Sequence, residues 1–346
     1  MHERSYNAGA MRYLDLSATV AAMPSFEEQL RLAEESLVGV ESGGQVPGKI
    51  AVHPRPPDSI AYAMPAIGPP RNPAEHPPMG VKWVTVFPAN SGRGLPTVDS
   101  LVILNDPLTL EPTDIMNGAA ITAARTAAVS GVIIRQFGQS LGPTPGVALV
   151  GAGVQGRSHL EMLGKLLPAA SVRIFDRHPD RRGALVEAAH AMGIKRASPV
   201  QSAQEAMVEA DVIITTASFG PERQLMDAEW LRPRCVVIAV DYDVYLSAKV
   251  ARSASIFLVD ELRAFANARV EGRFAAFPEP FGTIGGRLLA DHEEPSPDRI
   301  VVAHLGMGLT DVLFADAVAS TARSRGLGVE LPHSGAADQM RMASNA

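Results

Sequence analysis

The chain has 346 residues, 46% of them apolar and 20% charged, the composition of an ordinary globular protein long enough for two cores. A formal charge of −6 without a basic run argues against nucleic acid as the main partner, and no apolar stretch reaches the length of a membrane span. One cysteine, Cys235, excludes an intrachain disulfide and suits a reducing cytoplasm, the expected location, since Met1–Met11 lacks a signal-peptide core and reads as a loose extension.

In chain order, the first predicted element is a helix from Ser25 to Gly39, opened by a capping pattern of Ser25 with Glu28 three residues on. Strand-like segments follow at Lys49–Val52, Ser59–Met64, Met79–Val86 and Ser100–Leu104, with restricted loops at Pro54–Pro57 and Pro69–Pro78. A long Ala-rich helix, Gly118–Phe137, bridges to a half in which strand and helix alternate. Its strands are Val147–Val150, Val172–Asp176, Asp211–Thr216, Cys235–Asp241, Ser255–Val259 and Arg299–Ala303. Helices are expected through His159–Leu166, Asp180–Met192 and Ala203–Ala210. The alternation predicts an α/β fold with a doubly wound parallel sheet covered on both faces. A last helix, after Leu309, should pack back on the first part of the chain, and residues after about Leu331 look frayed.

Gly151-Ala152-Gly153-Val154-Gln155-Gly156 sits between the strand Val147–Val150 and a helical pattern, and Asp176 ends the next strand. Gly151 suits the tight turn, Gly153 the close approach of a pyrophosphate, and Gly156 the packing of helix on strand. Val154 and Gln155 open the helix whose N-terminus would face the phosphates. A carboxylate at Asp176 can accept both ribose hydroxyls of NAD, which makes NAD(H) the preferred cofactor. Arg177, with Arg181 and Arg182 a turn later, leaves NADP(H) open, since guanidinium groups there could embrace a 2′-phosphate. Because ligands of such sheets bind at the carboxyl ends of the strands, Thr216, Ala217, Ser218, Val240, Asp241, His304 and Gly306 join the candidate cleft. The nine histidines form no metal spacing, and no nucleophile turn is present.

Two further segments, Gly80-Val81-Lys82-Trp83-Val84 and Ile121-Thr122-Ala123-Ala124-Arg125-Thr126-Ala127-Ala128, stand in order with the glycine turn and Ala239-Val240-Asp241. From about Gly48 to Leu327 this arrangement resembles the ornithine cyclodeaminase/μ-crystallin family. The resemblance implies a homodimer and a Rossmann domain over 129–318. It also implies a split α+β substrate-binding and dimerisation domain made of 1–128 with 319–346. Members act on amino and imino acids with NAD(P), as cyclodeaminases, alanine dehydrogenases, imine and ketimine reductases, or synthases of amino-acid conjugates.

A substrate carboxylate needs a cationic grip, and Arg125 offers a planar two-pronged donor, Lys82 a movable ammonium. By resemblance, Arg125 matches the family's carboxylate-binding arginine, which also contacts the cofactor, and Lys82 its active-site lysine. Thr126 would then lie by the cofactor phosphates, and Lys49 stands where many relatives carry arginine. Asp241, after an apolar strand, is expensive to leave unpaired. By resemblance it is the aspartate that handles the substrate's amino group, with Asp243 a rival two positions on. The segment Ala61-Tyr62-Ala63-Met64-Pro65-Ala66 puts Tyr62 where the cyclodeaminases carry a glutamate for a distal ammonium. A neutral phenol supplies no counter-charge, which weakens the ornithine and lysine readings; Tyr62 and Met64 remain candidates for the substrate pocket. His304 replaces a family serine, to contact nicotinamide or substrate or merely to fill space. The expected activity is NAD(H)-dependent oxidoreduction at the C–N bond of a small amino or imino acid. The alternatives are a redox-neutral cyclodeaminase or conjugate synthase, and a non-catalytic crystallin-like cofactor binder.

Overall fold

The computed structural model describes residues 10–54, 56, 58–70, 76–138, 141–218, 223, 225–290 and 298–332. The chain begins with β1 (Ala10–Leu14), α1 (Leu16–Ala21) and α2 (Phe26–Glu41). In α2 the Ser25 hydroxyl accepts the Glu28 amide at 3.3 Å, and Leu30, Ala33 and Leu37 recur on its buried face. There follow β2 (Ile50–Val52), β3 (Ile60–Ile67), β4 (Met79–Val86), β5 (Val98–Asn105), β6 (Pro112–Asn117) and the long helix α3 (Ala119–Phe137).

The parallel half opens with β7 (Gly146–Val150), α4 (Val154–Leu166), β8 (Ser171–Phe175), α5 (Pro179–Ala191) and β9 (Ala197–Pro199). It continues through α6 (Ala203–Met207), β10 (Val212–Thr215), β11 (Cys235–Ala239), α7 (Ala248–Arg252), β12 (Ile256–Val259) and α8 (Leu262–Val270). The last elements are β13 (Gly282–Thr283), α9 (Ile284–Leu289), β14 (Arg299–Ala303), α10 (Gly308–Arg325) and β15 (Val329–Pro332).

Two sheets result. The first runs β15-β1-β6-β5-β4-β3-β2, with β1 and β6 its one parallel pair. The second runs β13-β12-β14-β11-β10-β7-β8-β9, and every pairing in it is parallel. Strand order reverses around β7, so the crevice of this doubly wound sheet opens where the glycine turn leaves β7. Its central strands are buried on both faces: Val147, Leu149, Ile214, Ile238 and Val302 belong to one apolar cluster, Ala148, Val150, Ile213, Val237 and Val301 to the other. α3 packs between α2 and α4, and α10 lies across β3, β4 and β5 as well as α2. Among the described residues, no helix is long and apolar enough to cross a membrane.

The structure departs from the sequence reading at several places. The expected loose extension already forms β1 from Ala10, paired with Val329–Pro332 on one side and with Asp114–Met116 on the other. Those partners lie far along the chain, and five residues carry no periodicity to announce them. β3 runs on past Met64 through Pro65 to Ile67. Proline is tolerated there because β2 has ended opposite Ala63, so no ladder amide is demanded on that edge. The sequence reading also lacks β6, β9, β13, β15, α1, α7, α8 and α9, and α6 stops at Met207 rather than Ala210. The end expected to fray from about Leu331 still pairs in β15; residues 1–9 and 333–346 lie outside the described residues.

Candidate active site

At the glycine turn, Gly151 has φ +108°, and its amide donates to the Phe175 carbonyl at 2.8 Å. A Cβ at Gly151 would meet the Thr216 carbonyl oxygen at 2.6 Å, and one at Gly156 would lie 2.0 Å from the Gly151 carbonyl oxygen. Strand and helix therefore approach to a distance that only glycine permits. Among the described residues nothing stands within 4 Å of a Cβ at Gly153, which is open where a ligand's phosphates would come. No side chain caps α4, so its first amides, starting at the exposed Val154, remain available to an anion. Thr216 braces the turn, its hydroxyl 3.2 Å and 3.1 Å from the Val150 and Gly151 carbonyls.

The Asp176 carboxylate accepts the Ala152 amide at 2.7 Å and the His178 amide at 2.8 Å, which fixes it at the end of β8. Gly151, Asp176, Arg177, Arg181, Ala217 and Ser218 line one surface cavity there. Arg177 is exposed beside Asp176. The Gln155 side chain reaches back toward the Thr122 carbonyl (3.5 Å), and Thr126 spends its hydroxyl on the same carbonyl at 2.6 Å. Open turn, uncapped helix and fixed carboxylate together match what a dinucleotide requires.

The second part of the site is assembled from distant segments. Along β4 the alternation is inverted: Trp83 faces outward, 42% exposed, while Lys82 points into the protein and is 1% exposed. Its ammonium meets the Asp311 carboxylate at 2.7 Å, and the Nε of Arg125 meets the other oxygen of Asp311 at 3.1 Å. Arg125 engages Asp311 through Nε, leaving the outer edge of its guanidinium for another acceptor. That edge abuts Gly306, where a Cβ would lie 2.7 Å from a terminal nitrogen. Burial pulls the Lys82 pKa down to about 7; Asp311 opposes the shift, and the Arg125 and Lys49 charges reinforce it. Met64, in register with Lys82 on β3, is buried.

Lys49, just before β2, donates to the Leu305 carbonyl at 2.6 Å and to the Tyr242 hydroxyl at 2.8 Å. Its ammonium lies 5.7 Å and 5.5 Å from the Tyr62 and Tyr242 ring centroids. A cation thus already stands beside Tyr62. Burial raises the Tyr62 pKa, so the phenol stays neutral.

Asp241 follows β11 by two residues and is 1% exposed. Its carboxylate accepts the Thr215 hydroxyl at 2.7 Å and the Ala217 amide at 3.1 Å. Burial nevertheless raises its pKa to about 7, because those two bonds only partly replace lost hydration. Val240 is held by its amide to the Thr215 carbonyl at 2.9 Å. Next to Asp241, Tyr242 sits at φ +60°, a backbone region that L residues rarely enter, and this turn sends its hydroxyl to Lys49. The rival Asp243 is committed elsewhere, to the Phe274 amide at 3.0 Å and to Arg273 and Arg223. His304 is 2% exposed and bonds to Ser130 at 3.0 Å.

The structure thus joins Lys82 and Arg125 through Asp311, and joins Lys49 to the turn after Asp241 through Tyr242. Leu305 and Gly306 connect the two groups. Sequence reasoning missed Asp311, the 0%-exposed hub of the cations. An acid in the first turn of a helix is routine complement to the helix dipole, so nothing local sets it apart. It also missed Asp260, which accepts the Gly306 amide at 2.6 Å and holds the loop after β14.

Fold and turn together define a dinucleotide-binding α/β protein carrying a buried cluster of cations and acids. More narrowly, the chain belongs to the ornithine cyclodeaminase/mu-crystallin family, whose sequence profile matches residues 11–325. It is 30% identical to the nodulation efficiency protein NfeD of Rhizobium meliloti, over 92% of this chain and 97% of that one. It is 32% identical to the ketimine reductase mu-crystallin of Rattus norvegicus, over 68% and 74% of the two chains. Among solved structures, an archaeal alanine dehydrogenase dimer with bound NAD superposes with a TM-score of 0.78 at 26% identity, covering 93% of this chain and 99% of that one.

Proposed function

We propose that the protein is an NAD(H)-dependent oxidoreductase acting at the C–N bond of a small amino or imino acid, with imine reduction its net direction. The observation that carries this reading is the Lys82–Asp311–Arg125 cluster, joined through the 305–306 loop to the strand end bearing Asp241. When bound at the glycine turn, the nicotinamide cofactor supplies a hydride to the substrate carbon, or accepts one from it.

The protein's own groups do the rest. The amides of α4 and the Asp176 carboxylate hold the dinucleotide, and the acid at Asp176 favours NAD(H) over a 2′-phosphorylated cofactor. Arg125, with Lys82 and Lys49, clamps the substrate carboxylate, and Asp311 keeps the first two cations aimed. As the C=N π pair moves onto nitrogen, a proton must reach that nitrogen, and Lys82 or Asp241 can supply it near neutral pH. Tyr62 beside Lys49 disfavours substrates with a distal ammonium.

Residues 129–318 would form the dinucleotide unit, and 1–128 with 319–346 the substrate and dimerisation unit. Val81, Trp83, Leu101, Ile103 and Ile115 share the outer face of the first sheet, an apolar surface suited to a second copy. Trp83→Asp should therefore shift a dimer toward monomer in sedimentation. Function is tested by following NADH oxidation with 2-oxo acids plus ammonia or methylamine, and with cyclic imines. Sustained NADH consumption is expected with at least one of them. Turnover of ornithine without net NADH change, alongside inactivity across the panel, would replace this reading with a redox-neutral lyase.

A further inference from the structure

A buried hydrogen-bonded chain runs from the helix of the glycine turn to the end of β14. His159 Nδ1 lies 2.7 Å from the Gln155 carbonyl oxygen, His159 Nε2 lies 2.9 Å from the Ser130 hydroxyl, and that hydroxyl lies 3.0 Å from His304 Nε2. Its direction follows from donor counting. A carbonyl only accepts, so His159 carries its proton on Nδ1. Burial lowers the pKa of His159 to about 4, which keeps the ring neutral and leaves Nε2 bare. The Ser130 proton therefore goes to His159. With its single proton spent, the Ser130 oxygen can only accept from His304, whose Nε2 must carry a hydrogen. Burial, then the neighbouring His159 and the Arg125 and Lys49 charges, hold His304 neutral as well. Its Nδ1 is left with a free lone pair and no hydrogen-bond partner among the described residues.

That ring stands in the middle of the cleft's construction. The His304 amide donates to the Ala239 carbonyl at 3.2 Å, two residues before Asp241. The next two residues contact Lys49, through the Leu305 carbonyl, and the guanidinium of Arg125, at Gly306. The charges nearest the ring are those of Arg125 and Lys49, which can donate a hydrogen bond but not accept one.

We propose that Ser130 and His159 are positioning residues that set the tautomer of His304, leaving its Nδ1 as a hydrogen-bond acceptor for an N–H group of the bound reactants. Two N–H donors fit: the carboxamide of the nicotinamide, and the protonated nitrogen of the imine or amine. This role rests on the reading of the cleft given above; the tautomer does not.

The tautomer is tested in the ligand-free protein by ¹⁵N spectroscopy of the histidine rings. His304 should show a bare Nδ1 and a protonated Nε2; the reverse pattern would overturn the proposal. Ser130→Ala should mix the two forms and Ser130→Thr, which keeps a hydroxyl, should restore the native pattern, whereas an unchanged ring in Ser130→Ala defeats the relay. His304→Leu keeps most of the volume but removes the acceptor. If the carboxamide is the donor, the NADH dissociation constant should rise roughly 5- to 10-fold, an effect readable by fluorescence with no substrate present. If the substrate nitrogen is the donor, NADH binding should hold while kcat/KM for the imine falls by about the same factor. A variant with native NADH binding and native kinetics would show that the ring only fills space. Should no imine be turned over at all, the ring spectra still decide the tautomer and the NADH titration decides the carboxamide contact; native NADH binding in His304→Leu would then overturn the acceptor role.

Discussion

The dinucleotide end of the cleft and its cation end are built in opposite ways. Six consecutive residues, Gly151–Gly156, make the first, and what they contribute is mostly backbone: a left-handed turn, a close approach and a row of free amides. The cation end consists of side chains: Arg125 on α3 and Asp311 on α10 are 186 positions apart, and Lys82 arrives from β4 of the first sheet. A backbone site tolerates water and needs no counter-charge. A buried side-chain site must balance its charges internally, which makes it more fragile.

The sharpest way to break that contrast is to remove the balancing acid. Asp311→Ala strands two buried cations and should cost about 3–5 kcal/mol of stability by denaturant unfolding. A loss below about 1 kcal/mol would mean that water already reaches the cluster. Next in size is Arg125→Lys, which keeps the charge but loses the planar fork. It should raise the substrate KM by about 10- to 100-fold while the NADH dissociation constant stays put. Equal loss of both would mean that the two ends are not separable.

The pH dependence sharpens the comparison, because the shifted groups lie at the cation end and the neighbouring strand end. Reduction consumes a proton, so the donor must be in its acid form, present below about 7 and lost above it for both Lys82 and Asp241. Reductive kcat/KM should therefore fall as pH rises through about 7, and the oxidative direction should gain over the same range. If Asp241→Asn keeps activity and leaves this limb in place, the acid is Lys82.

Stability gives a separate sign. Asp241, raised from 3.8 to about 7 by folding, loses stability as pH climbs between those values. Lys82, lowered from 10.5 to about 7, regains stability as pH climbs from about 7 toward 10.5. The ligand-free protein should thus carry a dip in stability near 7 from these two groups, flattened in the double variant Lys82→Met, Asp241→Asn. Smallest of all, Glu34→Gln removes the exposed partner of Arg135 and should shift stability by less than about 1 kcal/mol. A larger effect would blur the distinction between buried and exposed pairs.

How much could be read beforehand follows from the same contrast. Gly151, Gly153, Gly156 and Asp176 were legible because each role is a local backbone requirement written in neighbouring residues. Lys82 and Arg125 were singled out as candidate cations, but not the acid that pairs them. Lys82 between apolar Val81 and Trp83 reads as atypical of a solvated face, and the structure buries it, though by turning it to the face of β4 opposite its two neighbours. The Tyr242–Lys49 link was invisible because it depends on a strained φ at Tyr242. β1 escaped notice because its pairing lies with β6 and β15 rather than within its own five residues.

By itself, the amino-acid sequence determined the parallel sheet, the position of the dinucleotide turn and the candidate cations, since periodicity, glycine and strand-end placement are short-range constraints. Only the tertiary structure decided that Asp311 joins the cations, that Asp243 is committed elsewhere, and which nitrogen of His304 is bare. Those outcomes depend on burial and on partners from remote segments, and desolvation and hydrogen-bond direction exist only once the chain has closed around them.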